Sequence, residues 1–183
     1  MNELETRCLD VFPQWIRSLG QDATALAQLL SVDSVPEAAK KYVAGGLNYV
    51  FKSLDLIPDG IEDIGFLDDA FVLRVASRLA LEEAPEAKAA DMAGLLARMA
   101  GEAALVADLL GKDAARLEKY VRGLSKGSAR GRTVAEILGD AAVRSAFVSE
   151  VHGWAKSYAA PGFNRDEKNL IKLKSFLSAK LPE

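Results

Sequence analysis

The stretch Leu4-Glu-Thr-Arg-Cys8-Leu-Asp-Val11-Phe-Pro-Gln-Trp15-Ile-Arg-Ser-Leu19 sets the fold class. Leu4, Cys8, Val11, Trp15 and Leu19 recur at steps of three and four, the period of one helix face. Composition carries the same signal through the rest of the chain: 30 Ala and 25 Leu stand against 22 Val, Ile and Thr together. Ala and Leu lose little entropy in a helix, whereas β-branched residues favour strands. With 183 residues, 50% of them apolar and 27% charged, the chain is long enough to bury a core and too apolar to stay disordered. The expectation is an all-α, compact bundle of about eight helices forming a single domain over residues 1–183.

Working outward from that stretch, the first helix is expected over about residues 2–20, kinked or split by Pro13. Asp22 can cap a short second helix to about Ser31, and Ser34 with Glu37 resembles a capping box opening a third over 35–53. An irregular acidic loop at 54–67 follows, then a helix from Asp68, placed as its cap, to Ala84. Pro85 breaks the chain before a helix over 86–110, in which Gly94 and Gly101 are weak points. Another helix follows Gly111 and ends at Gly123, and the Gly-rich stretch 123–131 is a loop and a possible lobe boundary. Thr133 and Glu136 form a capping box for a helix that Gly139 interrupts and Asp140 restarts, running to Tyr158. Asn164 is the expected cap of a last helix over 165–181.

Several function classes fall away. The longest charge-free stretches, 23–32 and 42–51, are ten residues each, against the ~20 a bilayer-spanning helix needs. The start, Met1-Asn-Glu-Leu-Glu5, carries acids where a signal peptide needs bases, so the cytoplasm is the expected compartment. Cys8, the only cysteine, can form no intramolecular disulfide and no Cys-x-x-Cys zinc motif. Net charge is −3 but unevenly divided: residues 1–91 hold 16 acids and 8 bases, residues 92–183 hold 10 and 15.

The most informative segment is Leu54-Asp55-Leu-Ile-Pro-Asp59-Gly-Ile-Glu62-Asp63-Ile-Gly65-Phe-Leu-Asp68-Asp69, with six acids and no base between Lys52 and Arg74. Pro58-Asp59-Gly60 is turn chemistry. Asp68 and Asp69 suit the positive end of the following helix, while Ile57, Ile61, Ile64 and Leu67 can plug the loop into the bundle. The alternative is a hard-cation site for Mg²⁺ or Ca²⁺ on Asp55, Asp59, Asp68 and Asp69, should those carboxylates converge. An EF-hand it is not. Counted from Asp55, Ile57 and Phe66 stand at the third and twelfth positions, where two ligands are required.

The run Asp55-Leu-Ile-Pro-Asp59, five residues, then Gly65-Phe-Leu-Asp-Asp69 resembles the signature of the YkvA-like bacterial domain of unknown function, over residues 40–75. The family pattern has a proline before the first Asp, where Leu54 stands, and a second at Glu62, with an apolar residue at Asp63. The loop is therefore more acidic than the pattern. The resemblance implies a helical module without an assigned activity, whose members sometimes lie beside membrane segments.

Other candidates have plain explanations. Gly123-Leu-Ser125-Lys-Gly127 matches the nucleophile-elbow pattern, but no strand is expected before it, and the single histidine, His152, lies in a helical run. Lys112, Arg116, Lys119, Arg122, Lys126 and Arg130 recur every three or four residues and form a basic stripe on one side of a helix. Only Tyr120 could stack a base there, so nucleic-acid binding is not expected. The function expected is non-enzymatic binding or regulation, with Asp59, Glu62, Asp63, Lys112, Arg116, Lys119 and Arg122 as candidates for contacting a protein partner. A metal-dependent enzyme on the acidic loop and a peripheral membrane adaptor on the basic stripe are the alternatives. No cofactor is required, and the Ala-rich helices permit a homodimer.

Overall fold

Leu4, Cys8, Val11, Trp15 and Leu19 do share a helix face, but the helix is longer than the sequence pattern implies. In the computed structural model, which describes residues 1–51, 55–85 and 90–183 (the side chains of 90–93 excepted), α1 runs unbroken over Glu3–Leu29. Pro13 and Asp22 both lie inside it, so the expected split into two helices does not occur. Proline inside a helix costs about 3 kcal/mol. That cost is outweighed because Cys8, Leu9, Phe12, Trp15, Ile16 and Leu19 flank it in the core. Asn2 and Glu5 close a reciprocal capping box at its start.

Next come α2 (Glu37–Tyr49), α3 (Leu67–Glu83) and α4 (Ala90–Leu110). The expected capping box at Ser34 is not formed, because α2 begins after Pro36 without a side-chain cap. The expected end of this helix at 53 and the expected start of α4 at 86 lie outside the described residues. α4 passes through Gly94 and Gly101 without interruption. A 3-10 turn, Gly111–Asp113, leads into α5 (Ala114–Leu124). The Gly-rich loop holds a two-residue hairpin, Ser128–Ala129 paired with Arg132–Thr133, whose tip residues Arg130 and Gly131 are left-handed. Both central residues at positive φ match the twist of a tight hairpin turn. The Thr133–Glu136 box then opens α6 (Val134–Gly139), and Asp140 restarts the chain as α7 (Ala141–Ser157). Asp166, not Asn164, caps α8 (Glu167–Lys180).

α3 lies at the centre, packed against α1, α2, α4 and α5, and its buried residues run from Leu67 to Ala80 almost without a gap. Gly46 lets α2 come this close, since a Cβ there would lie 2.9 Å from that of Ala76. On the other side of α2, Gly45 faces the Leu124 backbone at 3.1 Å in the same sense. Phe12, Trp15 and Phe71 form an aromatic cluster, with ring centroids 5.1–6.1 Å apart, where α1 crosses α3. Beyond the hairpin, α6 packs on α2 and α7 along α1, so one contiguous core joins elements on both sides of it. The fold is all-α apart from the hairpin. No helix among the described residues is long and apolar enough to cross a membrane.

Candidate functional site: a buried carboxylate cluster under the acidic loop

The acidic segment joins α2 to α3, and its own sequence explains its path. Ile57, Ile64 and Leu67 are fully buried and Leu56 nearly so, while Ile61 is half-buried; these plug the segment into the core. Between the plugs the chain turns tightly: Ile61 N–H donates to the Pro58 carbonyl at 3.0 Å and Gly65 N–H to the Ile61 carbonyl at 2.8 Å. Gly65 is required by space. A Cβ there would approach the Asp59 carbonyl carbon to 2.8 Å, a collision with backbone that no rotamer relieves. Asp63 and Phe66 both take left-handed backbone, with φ of 70° and 68°, a conformation that costs a non-glycine residue about 1 kcal/mol or more. Phe66 recovers contact through its edge-on packing against the Tyr158 ring, 5.3 Å between centroids.

Five of the six acids separate into two sets, and the sixth, Asp55, is half-buried at the start of the loop. Asp59 and Glu62 are exposed on the outer edge, and Asp63 is half-buried, accepting from Asn164 N–H at 2.7 Å and from its side-chain amide at 3.3 Å. Lys172 ties the same edge by donating to the Glu62 carbonyl at 3.3 Å. The other set points inward. Asp68 and Asp69 are each 1% exposed. Asp68 is not the helix cap: the cap position is Phe66, and Asp68 sits inside the first turn. Its Oδ2 instead accepts from Tyr49 Oη at 2.5 Å and from Ile57 N–H at 3.1 Å. Tyr49 Oη in turn accepts from Leu56 N–H at 2.8 Å. One tyrosine and one carboxylate thus hold the entry of the loop to the end of α2 and the start of α3.

The inward set is electrostatically unbalanced. Asp68 Oδ1 and Asp69 Oδ2 are buried with no hydrogen-bond partner. Burial pushes the Asp68 carboxyl up to about 6, against the Tyr49 and Ile57 hydrogen bonds that favour its ionised form. Burial raises Asp69 well above the ordinary carboxylate range, and the charges of Asp68, Asp59 and Asp55 add to it. Asp59 is raised by burial as well. The four carboxylates proposed as cation ligands therefore do feel one another. They do not form a finished coordination sphere, because among the described residues no three His, Cys, Asp or Glu side chains are grouped to hold a metal ion.

Elsewhere the candidate residues are engaged within the fold. Arg116 pairs with Asp113 at 2.8 Å and donates to the Ser178, Leu181 and Pro182 carbonyls, closing the C-terminal end of α8. Lys119 donates to the Glu183 carbonyl, and Arg122 to Glu118. Arg130 and Arg132 both grip Glu150. Lys112 and Lys126 are exposed. Half of the stripe's six charges, Arg116, Arg122 and Arg130, are thus paired with carboxylates of the same chain. Ser125 follows α5, with no strand before it, and donates back to the Arg122 carbonyl. His152 lies half-buried on α7 beside a surface groove of about 590 Å³ against α1. Cys8 is fully buried, and burial pushes its thiol up to about 11, which leaves it inert at neutral pH.

Sequence reasoning missed Tyr49, Tyr158 and Asn164, which meet the acidic segment from α2, from the end of α7 and from the lead into α8. Nothing in their spacing announces this, since each lies on a separate element. Sequence reasoning also missed a second buried ionic group. Arg74, fully buried on α3, contacts Asp22 at 3.4 Å and Glu102 at 2.8 Å, and Arg98 closes the ring by pairing with both acids. Trp15 lies against the Arg74 guanidinium at 4.0 Å. Asp22 is thus an internal counter-ion and not a helix cap.

No curated protein and no solved structure matches the chain. A protein-family model does match part of it, from the first turn of α2 into α3, a span that takes in Tyr49 and every acid of the cluster. By that match, residues 39–74 are similar to the family described as "Protein of unknown function (DUF1232)".

Proposed function

We propose that this chain is a non-enzymatic, cytoplasmic binding module of the YkvA-like kind, presenting the outer edge of its acidic loop to a basic surface on a protein partner. The observation that supports this is the division of the acids. Asp68 anchors the loop from inside, so that Asp59 and Glu62 stand exposed on a segment pinned at its entry by Tyr49 and at its outer edge by Asn164 and Lys172. A pre-ordered charged edge loses less entropy on binding than a mobile one.

The test is a photo-crosslinking residue at position 60, where an added Cβ meets no atom within 4 Å, installed in the full chain in cells, with and without Glu62→Lys. A discrete protein adduct that disappears with Glu62→Lys, while the melting temperature holds, supports the reading. An exposed substitution of this kind shifts stability by no more than about 0.5 kcal/mol. An adduct pattern indifferent to the charge reversal, or no adduct from a folded protein, overturns it.

A further inference from the structure

The orphaned oxygens of Asp68 and Asp69 pose a physical problem that the binding function leaves unsolved. Two adjacent carboxylates at the start of α3 are almost wholly removed from water, and neither makes an ion pair among the described residues. The charges acting most strongly on Asp69 are all negative: Asp68 on its own helix, and Asp59 and Asp55 from the loop. Among the described residues, the other titratable groups acting on the cluster are neutral phenols. Tyr49 of α2 donates to Asp68, and Tyr158, at the end of α7, donates to the Ile16 carbonyl at 2.8 Å. Burial and the neighbouring carboxylates hold both phenols neutral, and a phenol has no positive form to offer as a counter-charge. The positive end of α3 offsets roughly half a charge. Two ionised carboxylates cannot share such a site without cost.

We infer that the Asp68–Asp69 pair retains one proton at neutral pH, held on Asp69, and that this proton latches the 55–66 loop onto the bundle. With Asp69 neutral, Asp68 remains ionised and keeps its bonds from Tyr49 and from Ile57 N–H. When the proton leaves to water, two like charges at adjacent buried positions repel in a site closed to water. The relief available is for the loop to lift, admitting water to both carboxylates. Lifting breaks the Ile57 N–H bond to Asp68 and the Leu56 N–H bond to Tyr49, the two bonds that fix the loop's entry. Alkaline conditions therefore free the loop and acidic conditions clamp it. As regulation of the presented edge, the latch rests on the binding function, but it is a property of the free protein and can fail separately.

The test is amide hydrogen exchange on the free full-length protein, corrected for intrinsic rates, following peptides of the loop and, as a reference, of α7. Each retained proton makes opening about tenfold more favourable per pH unit. Loop protection in the parent protein should therefore fall about tenfold between pH 6 and 7 and again towards pH 8, with α7 unaffected. Asp69→Asn, neutral and of the same shape, should flatten that loss to about twofold per unit. Infrared spectroscopy at neutral pH should show the carbonyl stretch of a protonated carboxylic acid, absent in Asp69→Asn. A flat parent profile, or a missing carboxylic-acid band, overturns the latch even if Asp69→Asn fails to fold. So does loop protection at pH 8 that Mg²⁺ or Ca²⁺ restores in the parent protein but not in Asp69→Asn, since a cation would then supply the positive charge.

Discussion

α3 contributes to two buried charged groups less than three helical turns apart, and they are built on opposite principles. Around Arg74, two guanidinium groups meet two carboxylates, each acid bonded to both bases, and an aromatic face covers the central cation. At Asp68 and Asp69, carboxylates meet carboxylates, and only neutral donors help. The first arrangement is closed: desolvation of each charge is offset by a partner of opposite sign at hydrogen-bond distance. The second is open, with no positive side chain paired to it among the described residues. A protein that closes its ionic ring at one point of a helix and leaves another unbalanced has placed its adjustable element at the second point, beneath the acidic loop.

The sharpest way to break the comparison is to remove one partner from the closed group. Arg74→Met leaves Asp22 and Glu102 to share Arg98 alone, one cation against two carboxylates, and should cost about 3–5 kcal/mol, read as a lowered denaturant midpoint. A loss near zero would mean that the ring is a passive contact. In the open group, Tyr49→Phe removes the donor to Asp68 and the acceptor for Leu56 N–H together. It should cost about 1–3 kcal/mol by the same measurement, with exchange at Leu56 and Ile57 accelerated most. Gly65→Ala forces the Asp59 carbonyl aside and should cost a comparable 1–3 kcal/mol, about the size of an overpacked core site. Unchanged stability would show that the turn can yield.

Acidity sharpens the same contrast. Asp68 and Asp69 are raised in the folded state, so their contribution is fully present below the unfolded carboxylate range and is lost as pH climbs. For Asp68 that window runs from about 4 to about 6, and Asp69 extends it upward. Chemical denaturation across this range should therefore show stability falling towards neutral pH, whereas a protein dominated by paired carboxylates would gain. The smallest effect belongs to the surface. Arg130→Ala breaks a mostly exposed contact with Glu150 and should change stability by less than about 1 kcal/mol, vanishing at high salt.

How far the sequence was legible depends on how local each interaction is. The Thr133–Glu136 capping box and the Asp140 restart lie within one turn of the chain and are formed as read. Pro13 does not split α1, because a propensity of a few kcal/mol yields to the burial of six neighbours, and that burial is a tertiary quantity. Asp22 and Asp68 depart from the local pattern for the same reason. Each stands where a cap would stand, yet each is turned inward by a partner 52 or 19 residues away in sequence. The basic stripe has helical spacing, but its charges answer Glu118, Glu150 and the C-terminal carbonyls, which no local pattern reveals.

By itself the amino-acid sequence determined that this protein is helical and that residues 55–69 are set apart by their acids. Those properties follow from backbone preference and from side-chain periodicity, which act over a few residues. Only the tertiary structure decided which acids face water and which are enclosed, and that division decides whether a carboxylate is a surface charge or a place to hold a proton. Desolvation and pairing depend on what surrounds a group in space, and Tyr49, Asp68, Asn164 and Tyr158 become neighbours only when four separate elements have packed.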